Sequence, residues 1–257
     1  MDPRTECVAP KRLITSPDFA KDDVSLGLTR CLMWPPYPDQ ALVCHFGDTT
    51  DPARRVALFG NSHAGHWTEA IGAIARKHHW QLDTYILGAC DPTLIPLFNH
   101  CADIGAKTAA ALLAGQYDLV VLSTQDRDPQ SSAATYVPTL QGLTATDNNV
   151  LVIRDTPAPG DQTQLVADCL AVHPKDWSAC DGRTRDWIGA DPVTRAAKEL
   201  GGPHVFRVNV NKYFCKKARC PAVIGGVIPY RDASHLTVTF AKSLIPYLEP
   251  AFERAMP

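Results

Sequence analysis

The chain has 257 residues, 45% of them hydrophobic and 20% charged, a globular composition sized for one large domain or two small ones that excludes disorder, collagen and a coiled coil. Lysine and arginine number 25 against 27 aspartate and glutamate, a formal net charge of -2, which gives no general pull toward nucleic acid or anionic lipid. No apolar run approaches the roughly 18 to 20 residues of a membrane span, and Met1-Asp2-Pro3-Arg4 opens without the apolar core of a signal peptide, so the chain reads as soluble.

Residues 1–55 carry Pro3, Pro10, Pro17, Pro35, Pro36, Pro38 and Pro52 with little periodicity, which predicts an irregular lead-in packed on a main domain of residues 56–257. Val56-Ala57-Leu58-Phe59 is then a short apolar run ending at Gly60, and Trp67, Ile71, Ile74 and Ala75 recur at helical spacing up to His78-His79. The same texture repeats: strand 82–87, helix 102–114, strand 118–122, helix 133–145, strand 149–153. Continuous runs such as Leu119-Val120-Val121-Leu122 suit a parallel sheet buried on both faces. After the Pro157-Ala158-Pro159-Gly160 stretch come a helix near 161–171, a looped segment to about 191, a helix near 192–200 and a fifth strand at 204–208. The segment from Leu236 to Met256 reads as a closing helix that Pro246 and Pro250 should kink or end early. Alternating strands and helices predict one three-layer α/β domain with right-handed crossovers.

Nine cysteines are present, and eight fall into close pairs: Cys31 and Cys44, Cys90 and Cys101, Cys169 and Cys180, Cys215 and Cys220. Such spacing in loop-like surroundings fits four local disulfides, with Cys7 left over. Zinc would need recurring short spacings, but no Cys-x-x-Cys occurs; eight buried thiols spaced this way are a poorer account. Disulfides imply an oxidising compartment, so the chain is expected to be an extracytoplasmic domain, excised or carried out by a fused transmembrane part.

Gly60-Asn61-Ser62-His63 directly follows the first core strand and opens the first helix. Ser62 is thereby placed at the carboxyl edge of the sheet, where helix N-terminal amides stabilise a developing anion. A serine hydroxyl is a weak nucleophile until a base takes its proton. Asp232-Ala233-Ser234-His235, just before the closing helix, supplies that base with a carboxylate three residues away to hold the imidazole. Each segment alone has a bland reading as a helix cap; the combination points to serine catalysis.

With these motifs the chain resembles the SGNH hydrolase superfamily and, more closely, the extracytoplasmic SGNH domain fused to membrane acyltransferases of the OafA type. The resemblance also rests on Gly88-Ala89-Cys90-Asp91-Pro92, Tyr117-Asp118-Leu119-Val120-Val121-Leu122, Asp168-Cys169-Leu170 with Cys180, Cys215 to Cys220-Pro221-Ala222-Val223, and Tyr230-Arg231-Asp232-Ala233-Ser234-His235-Leu236-Thr237. It implies a flavodoxin-like α/β/α sandwich on a five-stranded parallel sheet, with Ser62 as nucleophile, His235 as base and Asp232 as its orienting partner. It implies oxyanion donation by the backbone N–H groups of Ser62 and Gly88, although Gly88 also reads as a plain strand-ending glycine. The implied function is transfer of an acyl group, acetyl first, from a donor delivered by a fused or partner membrane acyltransferase domain to a hydroxyl of an envelope glycan or glycolipid. No cofactor, metal or nucleic acid is implied. A carbohydrate esterase using the same triad, and a catalytically silent glycan-binding module, are the alternatives.

Two departures stand out. Asn61 occupies the position where the family usually has aspartate, and Ser123-Thr124-Gln125-Asp126 replaces the Gly-x-Asn-Asp turn that supplies a third oxyanion donor. Ser123 or Gln125 is the candidate substitute, and Asn61, Arg154 and Asp155 are candidate substrate contacts at the site edge. His63 and His66 invite a metal reading against a simpler packing role. Trp177 and Trp187, with Arg183, Arg185 and Asp186, have a composition suited to stacking on a sugar or to loop packing.

Overall fold

A computed structural model describes residues 12–95, 99–125, 132–145, 148–160, 163 and 165–257; Cys7 and Asp126 lie outside them. In chain order the strands are β1 (Leu32–Met33), β2 (Cys44–Gly47), β3 (Arg54–Gly60), β4 (Trp80–Leu87), β5 (Leu119–Ser123), β6 (Asn149–Ile153), β7 (Gly182–Arg183), β8 (Val205–Val208) and β9 (Arg219–Cys220). The described residues divide into two compact units: those within 12–24, 156–189 and 210–244 form one, and those within 25–155, 190–209 and 245–257 the other.

The larger unit holds a seven-stranded sheet in the order β1-β4-β3-β5-β6-β8, with β2 paired to β4. The five expected strands form its parallel core, and β3 and β4 are in register from Arg54↔Trp80 to Gly60↔Ile86. Two further strands come from the stretch with little periodicity. β1 adds parallel to β4 and β2 antiparallel to it; at two and four residues both are too short to show a period.

Because side chains alternate along a strand, the sheet buries two different sets. Ala57, Phe59, Tyr85, Val120, Leu122, Val150 and Val152 pack with residues of the helices Ala102–Ala114, Ala133–Thr144 and Pro192–Leu200. The opposite layer is made by the helices Thr68–Lys77 and Ile245–Ala255, which lie against β4 and against β6 and β8 and touch each other. This is a three-layer α/β/α sandwich.

The expected closing helix is two helices, Val238–Ser243 and Ile245–Ala255, broken at Leu244. Pro246 falls in the first turn of the second, where its missing N–H costs nothing, and Pro250 is accommodated inside it.

The smaller unit is built from short pieces: the helices Pro17–Asp22, Val166–Val172, Thr184–Trp187 and Val238–Ser243, and the antiparallel pair β7-β9. The chain carries disulfides Cys31–Cys44 and Cys90–Cys101 in the larger unit, and Cys169–Cys180 and Cys215–Cys220 in the smaller. With so little regular structure in the smaller unit, covalent links that limit its unfolded chain contribute on the order of 2 to 4 kcal/mol each. Among the described residues, no helix is long and apolar enough to cross a membrane.

Candidate active site

Gly60 ends β3 where a Cβ would stand 1.9 Å from the Ser123 carbonyl oxygen and 2.6 Å from the Ala64 Cβ. Only glycine lets the chain turn that close to β5. Asn61 then caps the short helix Ser62–Gly65, its Oδ1 accepting from the His63 N–H at 3.0 Å. The same Oδ1 accepts the Gln125 N–H at 3.2 Å, while Nδ2 donates to the Gln125 carbonyl at 2.8 Å. Asn61 is 6% exposed, and three hydrogen bonds of its amide tie the Ser62 turn to the loop after β5. The observed part of Asn61 in this site is to hold the turn. The Nδ2 donor also explains the asparagine: an aspartate could not bond the Gln125 carbonyl.

Ser62 is the first residue of its helix and partly exposed. Its N–H is one of the orphan donors of a helix start, and among the described residues it has no acceptor. Gly88, two residues past the last β3–β4 register pair on its own strand, is a different case. Its N–H donates to the Met33 carbonyl at 2.8 Å, extending the β1–β4 ladder. That hydrogen is spent, so Gly88 does not fill the oxyanion role expected of it. It is glycine because a Cβ there would lie 2.1 Å from the Trp34 ring. The next residue, Ala89, is exposed and held at φ 53, and among the described residues its N–H has no acceptor.

Ser123 is 1% exposed and its hydroxyl donates to the His63 carbonyl at 3.2 Å, so it braces the turn and offers substrate nothing. Gln125 is fixed through its backbone by Asn61. Asp155, just past β6, was also a candidate contact. It directs its carboxylate to His63, with Oδ1 2.7 Å from Nδ1, and its N–H donates to the Asp191 carboxylate at 3.0 Å. Asp191 in turn caps the helix Pro192–Leu200 through the Thr194 N–H at 2.7 Å. His66 packs on Trp67 and His63 with ring centroids 5.1 and 5.0 Å apart. Arg154 lines an open cavity of about 530 Å³ with Lys198 and Arg207.

In the smaller unit, Tyr230 and Leu236 form an antiparallel bridge and the Arg231 N–H donates to the His235 carbonyl at 3.1 Å, closing a tight loop over 231–235. Asp232 organises its interior. One carboxylate oxygen accepts the N–H groups of Ser234 and His235 at 2.9 and 2.7 Å; the other receives His235 Nδ1 at 2.8 Å and Arg231 Nη1 at 2.7 Å. An ionised carboxylate only accepts, so Nδ1 carries the proton of this bond and Nε2 is the atom left for base chemistry. Burial pushes the Asp232 carboxyl up, but its hydrogen bond and charge attraction to His235, with the two backbone N–H bonds, outweigh burial and hold it well below the usual carboxylate range. The cap of the following helix is Thr237, so Asp-Ala-Ser-His is not there to start a helix. Trp187 stacks edge-on against Tyr230 at 5.5 Å, and Trp177 Nε1 donates to the Pro174 carbonyl at 3.1 Å. Arg183 pairs with Asp186 at 2.5 Å. Both tryptophans thus have packing or loop partners within the smaller unit.

Two groups escaped the sequence reading. Arg231 donates to the same oxygen as His235, and Asp191 anchors Asp155; Asp191-Pro192 is a legible helix start, but nothing in sequence ties it to residue 155.

The periplasmic domain of the lipopolysaccharide acetyltransferase of Salmonella ser. Paratyphi A is similar in structure, with TM-score 0.61 and 11% identity over 80% of this chain and 85% of that one. A proposed acylhydrolase of Bacteroides fragilis gives TM-score 0.47 and 12% identity over 82% of this chain and 91% of its own. At such identities the likeness is one of fold. No curated protein matches the chain by sequence. The family model described as the SGNH domain fused to AT3 domains matches residues 30–250, and with that span the chain belongs to this SGNH domain family.

Proposed function

We propose that this chain is the extracytoplasmic catalytic domain of a membrane-associated acyltransferase, passing an acyl group, acetyl first, through an ester on Ser62 to a hydroxyl of an envelope glycan or glycolipid. The observation that carries the reading is the His235–Asp232 pair, Nδ1 to Oδ2 2.8 Å, locked in the tight loop over 231–235. Family membership and an orphan N–H on Ser62 add to it. The fusion partner of the family supports delivery of the donor by a membrane acyltransferase domain. Four disulfides support an oxidising, extracytoplasmic setting.

His235 Nε2 takes the Ser62 proton as Oγ attacks the donor's acyl carbonyl. The charge that develops on the carbonyl oxygen is met by the N–H groups of Ser62 and Ala89, neither of which has an acceptor among the described residues. Collapse expels the donor's leaving group, which receives the proton from His235. In the second half the imidazole takes the proton of the acceptor hydroxyl, whose oxygen attacks the acyl-serine; Ser62 Oγ leaves and recovers that proton. Asp232 stays ionised throughout and stabilises the imidazolium.

Turnover of an aryl acetate tests the chemistry. It should vanish in Ser62→Ala and fall steeply in His235→Ala. Retention of wild-type turnover by Ser62→Ala would remove the serine mechanism.

A further inference from the structure

We propose that His63 and Asp155 are a positioning pair that holds the Ser62 turn from below, separate from the His235–Asp232 pair that does the proton transfer; this rests on Ser62 being the nucleophile. The two pairs have nearly the same geometry, 2.7 Å against 2.8 Å between imidazole and carboxylate. Their surroundings differ. The His63 side chain is 2% exposed and its Asp155 partner 14%, whereas His235 is 22% exposed. A base that exchanges protons with a substrate needs that exposure; a ring sealed under the turn has the means to orient and not to shuttle.

His63 is the residue after Ser62 and is fixed from three directions. Its N–H goes to Asn61 Oδ1 at 3.0 Å, its carbonyl accepts Ser123 Oγ at 3.2 Å, and its ring is bonded to Asp155. Asp155 is itself held by Asp191 at 3.0 Å, at the start of the helix Pro192–Leu200. The ends of β3, β5 and β6 and one helix terminus are thereby joined beneath the residue that carries the reacting oxygen. A buried hydrogen-bond partner this close to the nucleophile fixes the direction of the Ser62 N–H and Oγ together. Loss of such alignment lowers the rate of the chemical step without altering what the substrate touches.

The test compares kcat and KM for an aryl acetate, per folded molecule, in His63→Leu, His63→Asn and Asp155→Ala, with Ser62→Ala as control. Asparagine places its amide nitrogen the same number of bonds from the backbone as Nδ1 and so keeps the donor to Asp155. His63→Leu and Asp155→Ala should lower kcat by about 10- to 100-fold with KM unchanged, and His63→Asn should recover most of the loss. Unchanged turnover in both His63→Leu and Asp155→Ala, with Ser62→Ala inactive, overturns the positioning pair and leaves the nucleophile standing. A kcat loss in His63→Leu that His63→Asn fails to repair, at equal thermal stability, also overturns it. Active Ser62→Ala removes the nucleophile and the pair's role with it. Should His63→Leu not fold, Asp155→Ala carries the comparison from the other side of the bond.

Discussion

The Gly88 N–H donates to the Met33 carbonyl at 2.8 Å, so a glycine that sequence comparison marks for oxyanion stabilisation is engaged in a strand ladder instead. The ladder role makes a forecast for Gly88→Ala, which keeps the N–H but adds a Cβ 2.1 Å from the Trp34 ring and 2.9 Å from the Met33 oxygen. Overpacking of this kind costs about 1–3 kcal/mol. Chemical denaturation should show that loss, while turnover per folded molecule stays at the wild-type level.

Asn61 makes three hydrogen bonds with one amide, and the substitutions at this position should rank accordingly. Asn61→Asp keeps both accepted bonds and loses the donor to the Gln125 carbonyl, leaving two acceptors facing each other. Asn61→Ala loses all three. At about 1–3 kcal/mol for a buried group left unsatisfied, Asn61→Ala should be the less stable variant and should lose more kcat, because the turn it abandons carries Ser62. Melting temperature and aryl acetate kinetics on the two variants check the order; equal losses would mean that the Nδ2 bond alone matters.

The depressed Asp232 carboxyl makes a pH forecast whose sign follows from linkage. Its ordinary value is 3.8 and the folded one lies well below it, despite burial, because of His235 and the backbone N–H bonds. The ionised form therefore stabilises the fold fully above the unfolded value, and the contribution is lost as pH falls from there toward the folded one. Asp232→Asn should show a stability deficit at about pH 5 that shrinks as the pH drops below about 4. Denaturation of both proteins across that range measures it. A deficit that grows on acidification would reverse the assignment.

These relationships show which parts of the protein were legible in one sequence. The strand runs at 56–59 and 119–122 betrayed the sheet because they are apolar on both faces, and Gly60-Asn61-Ser62-His63 and Asp232-Ala233-Ser234-His235 were visible because each is a compact local motif. β1 has two residues and no period, so the ladder that engages Gly88 could not be seen. His63 and Asp155 stand 92 positions apart; each was noticed alone, as a metal candidate and a substrate contact, and only the order β3-β5-β6 makes them partners. Asn61 looked like a departure from the family pattern until its amide was seen bonding both faces of one neighbouring peptide segment. Local chemistry was readable, and the bonds formed across the sheet edge were not.

The last forecast concerns which hydroxyl resolves the acyl-serine, since hydrolysis and transfer share every earlier step. With its hydroxyl buried and committed to the His63 carbonyl, Ser123 does not serve as a further oxyanion donor. Loss of one such donor typically costs about 100-fold or more in rate, so the isolated chain should be a slow esterase on activated esters. Water is always abundant, and a transferase prevails over it only by holding the acceptor oxygen in line with the acyl carbonyl while keeping water badly placed. Addition of an envelope glycan should therefore raise total turnover and divert acetyl from water to sugar, detected as acetylated glycan by mass spectrometry, and both products should disappear together in Ser62→Ala. If water remains the sole acceptor across a panel of glycans, with the chain joined to its membrane domain as well as isolated, the esterase account replaces the transferase one.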